Sequence, residues 1–151
     1  MDLIKFLTKY GINETTNYDL KNIADDLGIE IKVLMRDELN KINKTKKDYI
    51  IMNLETSKDN GSHWVSLSKF HNIYFDPYGI LPTKEVYNYF NTSSNNKIKD
   101  KLKYNKIQLQ KEGELCGQLS LYVLYCLHQG LKFEYIISSM HEELSKFLYE
   151  N

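Results

Sequence analysis

Residues 113–127 read GELCGQLSLYVLYCL, and how this stretch is read decides the fold. From Cys116 onward it predicts a helix that is apolar all round, and such a helix is buried at the centre of a domain. A cysteine in its first turn lies among backbone N–H groups that have no intrahelical acceptor. Cys116 is therefore either a nucleophile at the head of a central helix or a small hydrophobe in a core.

The rest of the chain supplies what such a helix must pack against. Residues 2–10 predict a short helix, and 17–27 (NYDLKNIADDL) a second, with Leu20, Ile23, Ala24 and Leu27 at helical spacing and Gly28 ending it. Residues 29–35 are rich in β-branched side chains and predict a strand, as does DYIIMNL at 48–54, with a polar connection between them. SKDNG at 57–61 is a turn cluster. Residues 63–67 and 73–75 form a hairpin, ended by Pro77 and Gly79. Pro82 suits the first turn of a helix running to about Phe90. Residues 91–103 form a lysine-bearing loop, 107–109 a last strand, 116–127 the oily helix and 132–149 an amphipathic one. The expected class is α+β: a small mixed, largely antiparallel sheet packed against helices in a single domain, residues 1–151.

Composition narrows the function classes. The 151 residues suit one core, and 42% hydrophobic with 26% charged residues is ordinary globular material. Twenty basic and twenty acidic side chains cancel, so nothing global drives the chain onto nucleic acid or membrane. Arg36 is the only arginine, which leaves almost no bidentate phosphate clamp. Cys116 and Cys126 are ten residues apart, about 15 Å along a helix, too far to bridge, and this predicts an intracellular chain with reduced thiols. The segment MDLIKFLTKYG is too short and charged for a signal peptide, and no apolar run reaches a membrane-spanning length.

A nucleophilic cysteine needs a base, and the base needs an orienting partner. His71 sits in the hairpin loop; His128 and His141 fall on or near the C-terminal helices. His63 opens a strand in GSHWVSL, with one ring edge toward a cleft. Hairpin arithmetic sets it near Asp76 of IYFDPYG. If the apolar faces match, Val65 and Leu67 against Ile73 and Phe75, then Asp76 lies on the face opposite His63 unless a bulge re-aims it. Asp-Pro-Tyr-Gly is equally a good β-turn. Gln108 and Gln110 both precede Cys116 and are candidate side-chain oxyanion donors beside the Cys116 N–H; Gln110 is the nearer. Trp64 is either a wall of the substrate channel or a core aromatic. Gly113 and Gly117 leave room for a substrate chain. No Cys-x₂-Cys spacing supports a metal site, and no cofactor is expected.

SHWVSLSK, then IYFDPYG, then QLQKEGELCGQLSLYVLYCL, in that order, resemble the adenovirus-type maturation protease and the wider group of Ulp-type SUMO and ubiquitin-like proteases. The earlier stretch NYDLKNIADDLGIEIKVLMRDEL looks like the N-terminal helix and strand of the versions carried by virophages and other small DNA viruses. The resemblance spans roughly residues 16–128. It implies an adenovirus-protease/Ulp-like fold with Cys116 as nucleophile, His63 as general base and acid, Asp76 orienting the imidazole and Gln110 completing the oxyanion hole. Trp64 and Gly117 would then border the substrate. Two spacings depart from the adenovirus pattern. The acid follows His63 more closely, and Gln110 stands one residue nearer the cysteine, as in SUMO proteases.

The function the resemblance implies is a cysteine endopeptidase that processes viral capsid or other structural precursors, acting as a monomer in host cytoplasm or viral factory, or packaged in the virion. The alternatives are a protease deconjugating ubiquitin-like modifiers and a catalytically silent binding module. The C-terminal helical part is shorter than in adenovirus, which leaves a peptide or DNA activator open. Lys97, Lys99, Lys101, Lys103 and Lys106 could meet DNA phosphates or simply be solvated.

Overall fold

Local chemistry sets the helix starts. In the computed structural model, which describes residues 1–43, 45–55, 63–90, 102–111 and 113–148, α1 (Leu3–Tyr10) starts at Asp2. The Asp2 carboxylate accepts from the Lys5 N–H at 2.9 Å. Helix α2 (Asn17–Leu27) starts in a capping box: Thr16 Oγ1 accepts from the Asp19 N–H, and Asp19 accepts from the Thr16 N–H. The turn expected at 57–61, Gly61 and Ser62 before His63, and residues 91–101 of the lysine-bearing segment lie outside the described residues.

Five strands form one mixed sheet in the order β1 (Ile31–Met35), β2 (Tyr49–Asn53), β3 (Trp64–Ser68), β4 (Ile73–Phe75), β5 (Lys103–Tyr104). The class is α+β as expected, but the sheet is not largely antiparallel. β2–β3 and β3–β4 are antiparallel, while β1–β2 and β4–β5 are parallel. A parallel pair needs a long crossover. The polar connection after β1 provides one, built around a 3₁₀ turn at Arg36–Lys41, and α3 (Lys84–Phe90) lies on the other. The last strand is at Lys103–Tyr104 rather than 107–109. Past it, Asn105 turns its side chain onto the Asp76 backbone, and the Leu109 and Gln110 N–H groups both bond the Pro77 carbonyl instead of a ladder. Pro82 precedes α3 and is not in its first turn.

Both faces of the sheet are covered, and β3 is buried at all five positions. One face (Ile51, Trp64, Ile73, Phe75) packs against α4 (Cys116–His128), itself flanked by α1, α2 and α5 (Phe133–Phe147). The other (Ile50, Met52, Val65, Leu67, Tyr74) packs against Val86, Tyr89 and Phe90 of α3 and against Leu39. Helix α4 is buried except at Tyr125 and His128, which is why its sequence shows no polar stripe. Its Ser120 hydroxyl donates to the Trp64 carbonyl at 3.1 Å and fixes the helix against the central strand. No helix among the described residues is long and apolar enough to cross a membrane.

Candidate active site

The hairpin register decides whether His63 and Asp76 can meet. Ser66 pairs with Phe75 and Leu67 with Tyr74. Paired residues share a face, so Ile73 and Phe75 lie with Ser66 and Ser68, on the face opposite Val65 and Leu67. The apolar faces are not matched, because each face of the sheet has its own core to fill. Continued past the strand ends, the same register sets Asp76 on the His63 side. His63 Nε2 and Asp76 Oδ1 are 2.8 Å apart.

Asp76 is held from several directions. It is 1% exposed. Its Oδ1 also accepts from the Tyr78 N–H at 2.8 Å, and its carbonyl accepts from the Gly79 N–H at 2.8 Å. The β-turn and the His63 partner are thus the same residue in two roles. Gly79 is required there: φ is +71°, and a Cβ would stand 2.9 Å from the Ile107 carbonyl oxygen. Asn105, 4% exposed, clamps the Asp76 backbone. Its Oδ1 accepts from the Asp76 N–H (3.1 Å), and its Nδ2 donates to the carbonyls of Asp76 (2.7 Å) and Ile107 (3.1 Å).

Cys116 is 4% exposed and stands at the head of α4, where no side chain caps the helix. Neither cysteine is in a disulfide. Burial pulls the His63 pKa down, but the hydrogen bond it donates to Asp76, an interaction with the Cys116 side chain and the charge of both outweigh it. The result is a rise from 6.5 to about 9. His63 Nδ1 is buried without a conventional hydrogen bond among the described residues, and it is the ring nitrogen that Asp76 does not use. The Tyr78 ring lies against the imidazole, centroids 4.7 Å apart. Burial, then Cys116, then Asp76 raise its phenol pKa, so it meets the site as a neutral hydroxyl.

Gln110 and Gln108 separate clearly. Gln110 is fully buried, while Gln108 is exposed and donates to the Gln110 carbonyl at 2.9 Å. The Gln110 backbone N–H is anchored on Pro77, next to Asp76, at 3.0 Å. Its Nε2 donates one hydrogen to the Gly113 carbonyl at 2.7 Å, in the loop that delivers Cys116, and the amide carries a second.

Trp64 and Gly117 both pack against the chain's own N-terminal segment. Trp64 is 6% exposed, and its indole N–H donates to the Thr15 carbonyl at 3.2 Å. A Cβ on Gly117 would stand 2.0 Å from Thr15 Oγ1 and 3.2 Å from both Leu20 and Trp64. The room beside Gly117 is therefore occupied by the chain's own N-terminal segment. Gln118 pins that segment, donating to the carbonyls of Gly11 (3.2 Å) and Asn13 (2.6 Å). A groove of about 440 Å³ shares Thr15 and Trp64 with this support and continues past Met35, Glu38 and Asn53.

Sequence reasoning missed Asn105, Tyr78, Thr15 and Gln118. Gln118 had a signal, since a buried polar residue in an oily helix needs partners. Tyr78 was hidden by the turn reading of DPYG. Asn105 and Thr15 had none, because their partners are 29 and 49 residues away in sequence. Among the described residues no three His, Cys, Asp or Glu side chains gather as a metal site would require. Comparisons with protein-family models, curated proteins and solved structures returned no match.

Proposed function

We propose that the chain is a cysteine endopeptidase with Cys116 as nucleophile. The observation that carries this reading is His63 held at 2.8 Å by a buried carboxylate, its charged form favoured by Cys116 at the uncapped head of a buried helix. A thiol is a weak nucleophile until its proton is taken, and a cationic imidazole and a helix N-terminus both favour the sulfur anion. In the proposed cycle the thiol proton already rests on His63, as an imidazolium beside the Cys116 sulfur anion, and the sulfur attacks the peptide carbonyl carbon. The oxyanion is met by the Cys116 N–H and the second Gln110 Nε2 hydrogen. His63, held by the buried Asp76 carboxylate, keeps that proton until the leaving amine takes it and the C–N bond breaks. Water then gives a proton to His63, attacks the thioester and releases the acid, which restores the ion pair.

Extended substrate would lie along the groove beside Trp64. Viral structural precursors are the substrate class we infer, supported by the motif order that resembles viral maturation proteases. Two measurements test the activity. The purified protein should cleave members of a peptide library, and Cys116→Ala should cleave none; equal cleavage by both refutes the assignment. Iodoacetamide at neutral pH should label Cys116 and spare Cys126, whose thiol burial raises to about 11. His63→Ala should remove that preference, and an unchanged Cys116 rate in this variant also refutes the pairing.

A further inference from the structure

The pole of the sheet opposite Cys116 carries a second cluster that the proposed chemistry does not use. The start of β2, the β3–β4 turn and the end of α4, about 18 Å along the helix from its head, meet there. His71 stacks on the Tyr49 ring (centroids 6.0 Å, planes at 13°), and His128 meets the same ring edge-on at 5.8 Å. Both imidazoles are tethered through Nδ1, His71 to the Ser68 hydroxyl at 2.8 Å and His128 to the Tyr49 hydroxyl at 3.4 Å. A hydroxyl can accept as well as donate, so each tether survives protonation of its ring and leaves Nε2 for a ligand.

These rings, with Lys47, Tyr49 and Phe70, line a groove of about 460 Å³ that has no carboxylate in its wall among the described residues. It adjoins a second groove of about 530 Å³ that shares His71 and adds Lys103, Lys132 and Glu134. Among the described residues Asp48 is paired with Lys32 at 3.3 Å, away from the groove, and Glu134 with Lys103 of the second groove at 3.0 Å. Among the described residues Lys47 and Lys132 have no ion-pair partner, which leaves two cations on this pole of a chain of zero net charge. Burial and then the charge of His128 hold the His71 pKa below its ordinary value, and an anion between the rings would relieve the second effect. A metal ion fits less well, because among the described residues no third His, Cys, Asp or Glu joins the two rings and Lys47 would repel it.

We infer that this groove is an anion site that takes a phosphoryl group between His71 and His128, with Lys47 at its mouth. Its occupant is free phosphate or a phosphate carried on a planar base that packs against Phe70. The inference does not depend on the peptidase reading.

The test follows the imidazole NMR signals of all four histidines as inorganic phosphate is added at about pH 6 and constant ionic strength. The His71 and His128 signals should shift saturably, and His71 should titrate at higher pH with phosphate present, while the signal of the exposed His141 stays unmoved. His71→Gln, His128→Gln and Lys47→Ala should each weaken binding about tenfold or more. The lysine variant keeps the test decisive if a histidine variant fails to fold. Tighter binding of adenosine monophosphate than of phosphate makes the occupant a nucleotide, and equal binding makes it free phosphate. Linear shifts shared with His141 overturn the inference. So does saturation by adenosine alone, or by Zn²⁺ without any phosphate response.

Discussion

Replacing Asp76 by Asn removes one charge and almost nothing else. Asn keeps an oxygen where Oδ1 accepts from the Tyr78 N–H, and its amide nitrogen takes the place of Oδ2, which has no hydrogen-bond partner among the described residues. The rise of the His63 pKa from 6.5 to about 9 corresponds to about 3 kcal/mol in favour of the imidazolium, at 1.36 kcal/mol per unit. Cys116 supplies part of this and the ring is 15% exposed, so screening and sharing reduce the Asp76 contribution to about 2 kcal/mol. Because the folded pKa lies above the unfolded one, this stabilisation is complete below about pH 6.5 and is lost as pH rises through about 9. The variant should therefore titrate His63 about 1.5 units lower by NMR. In urea unfolding, the gap between wild type and variant should shrink by about 2 kcal/mol from pH 6 to pH 10. Peptide cleavage should fall together with the His63 midpoint. A wild-type His63 that titrates at 6.5, or a stability gap that is flat with pH, would refute the reasoning.

Gln110→Ala should lower kcat by on the order of 10²–10³ with little change in KM, whereas exposed Gln108→Ala should leave both unchanged; equal effects would remove Gln110 from the oxyanion role. Gly117→Ala should cost about 1–3 kcal/mol in chemical denaturation, because its Cβ meets Thr15 Oγ1 at 2.0 Å, and Thr15→Ala in the same chain should recover part of that loss. Additive losses in the double variant would show that the two do not touch. Asn105→Ala strips two hydrogen bonds from the buried Asp76 backbone and should cost about 2–3 kcal/mol; a lower His63 midpoint in the folded variant would separate positioning of Asp76 from simple destabilisation.

Much of this molecule is legible in local pattern. The helical spacing of Leu20, Ile23, Ala24 and Leu27, the hairpin around residues 69–72 and the unbroken apolar run after Cys116 each depend on neighbours in sequence, and the corresponding elements stand close to where periodicity places them. His63, Asp76, Gln110 and Cys116 stand out by residue type and through the family resemblance, and the structure sets His63 against Asp76 and Cys116. The parallel pairing of both edge strands was not legible, since strand direction is set by where a crossover packs and not by the strand's own residues. Nor was the face on which Asp76 would lie. Matching apolar residues across a hairpin assumes one buried face, and here α4 covers one side of the sheet while α3 covers the other. Whether His63 can reach its carboxylate is settled by that second layer. So is the fate of Gly117, whose open side the sequence assigns to a substrate and the fold fills with Thr15. Residue type and spacing determine what chemistry the chain can carry; contacts between distant segments determine which side chains meet to perform it.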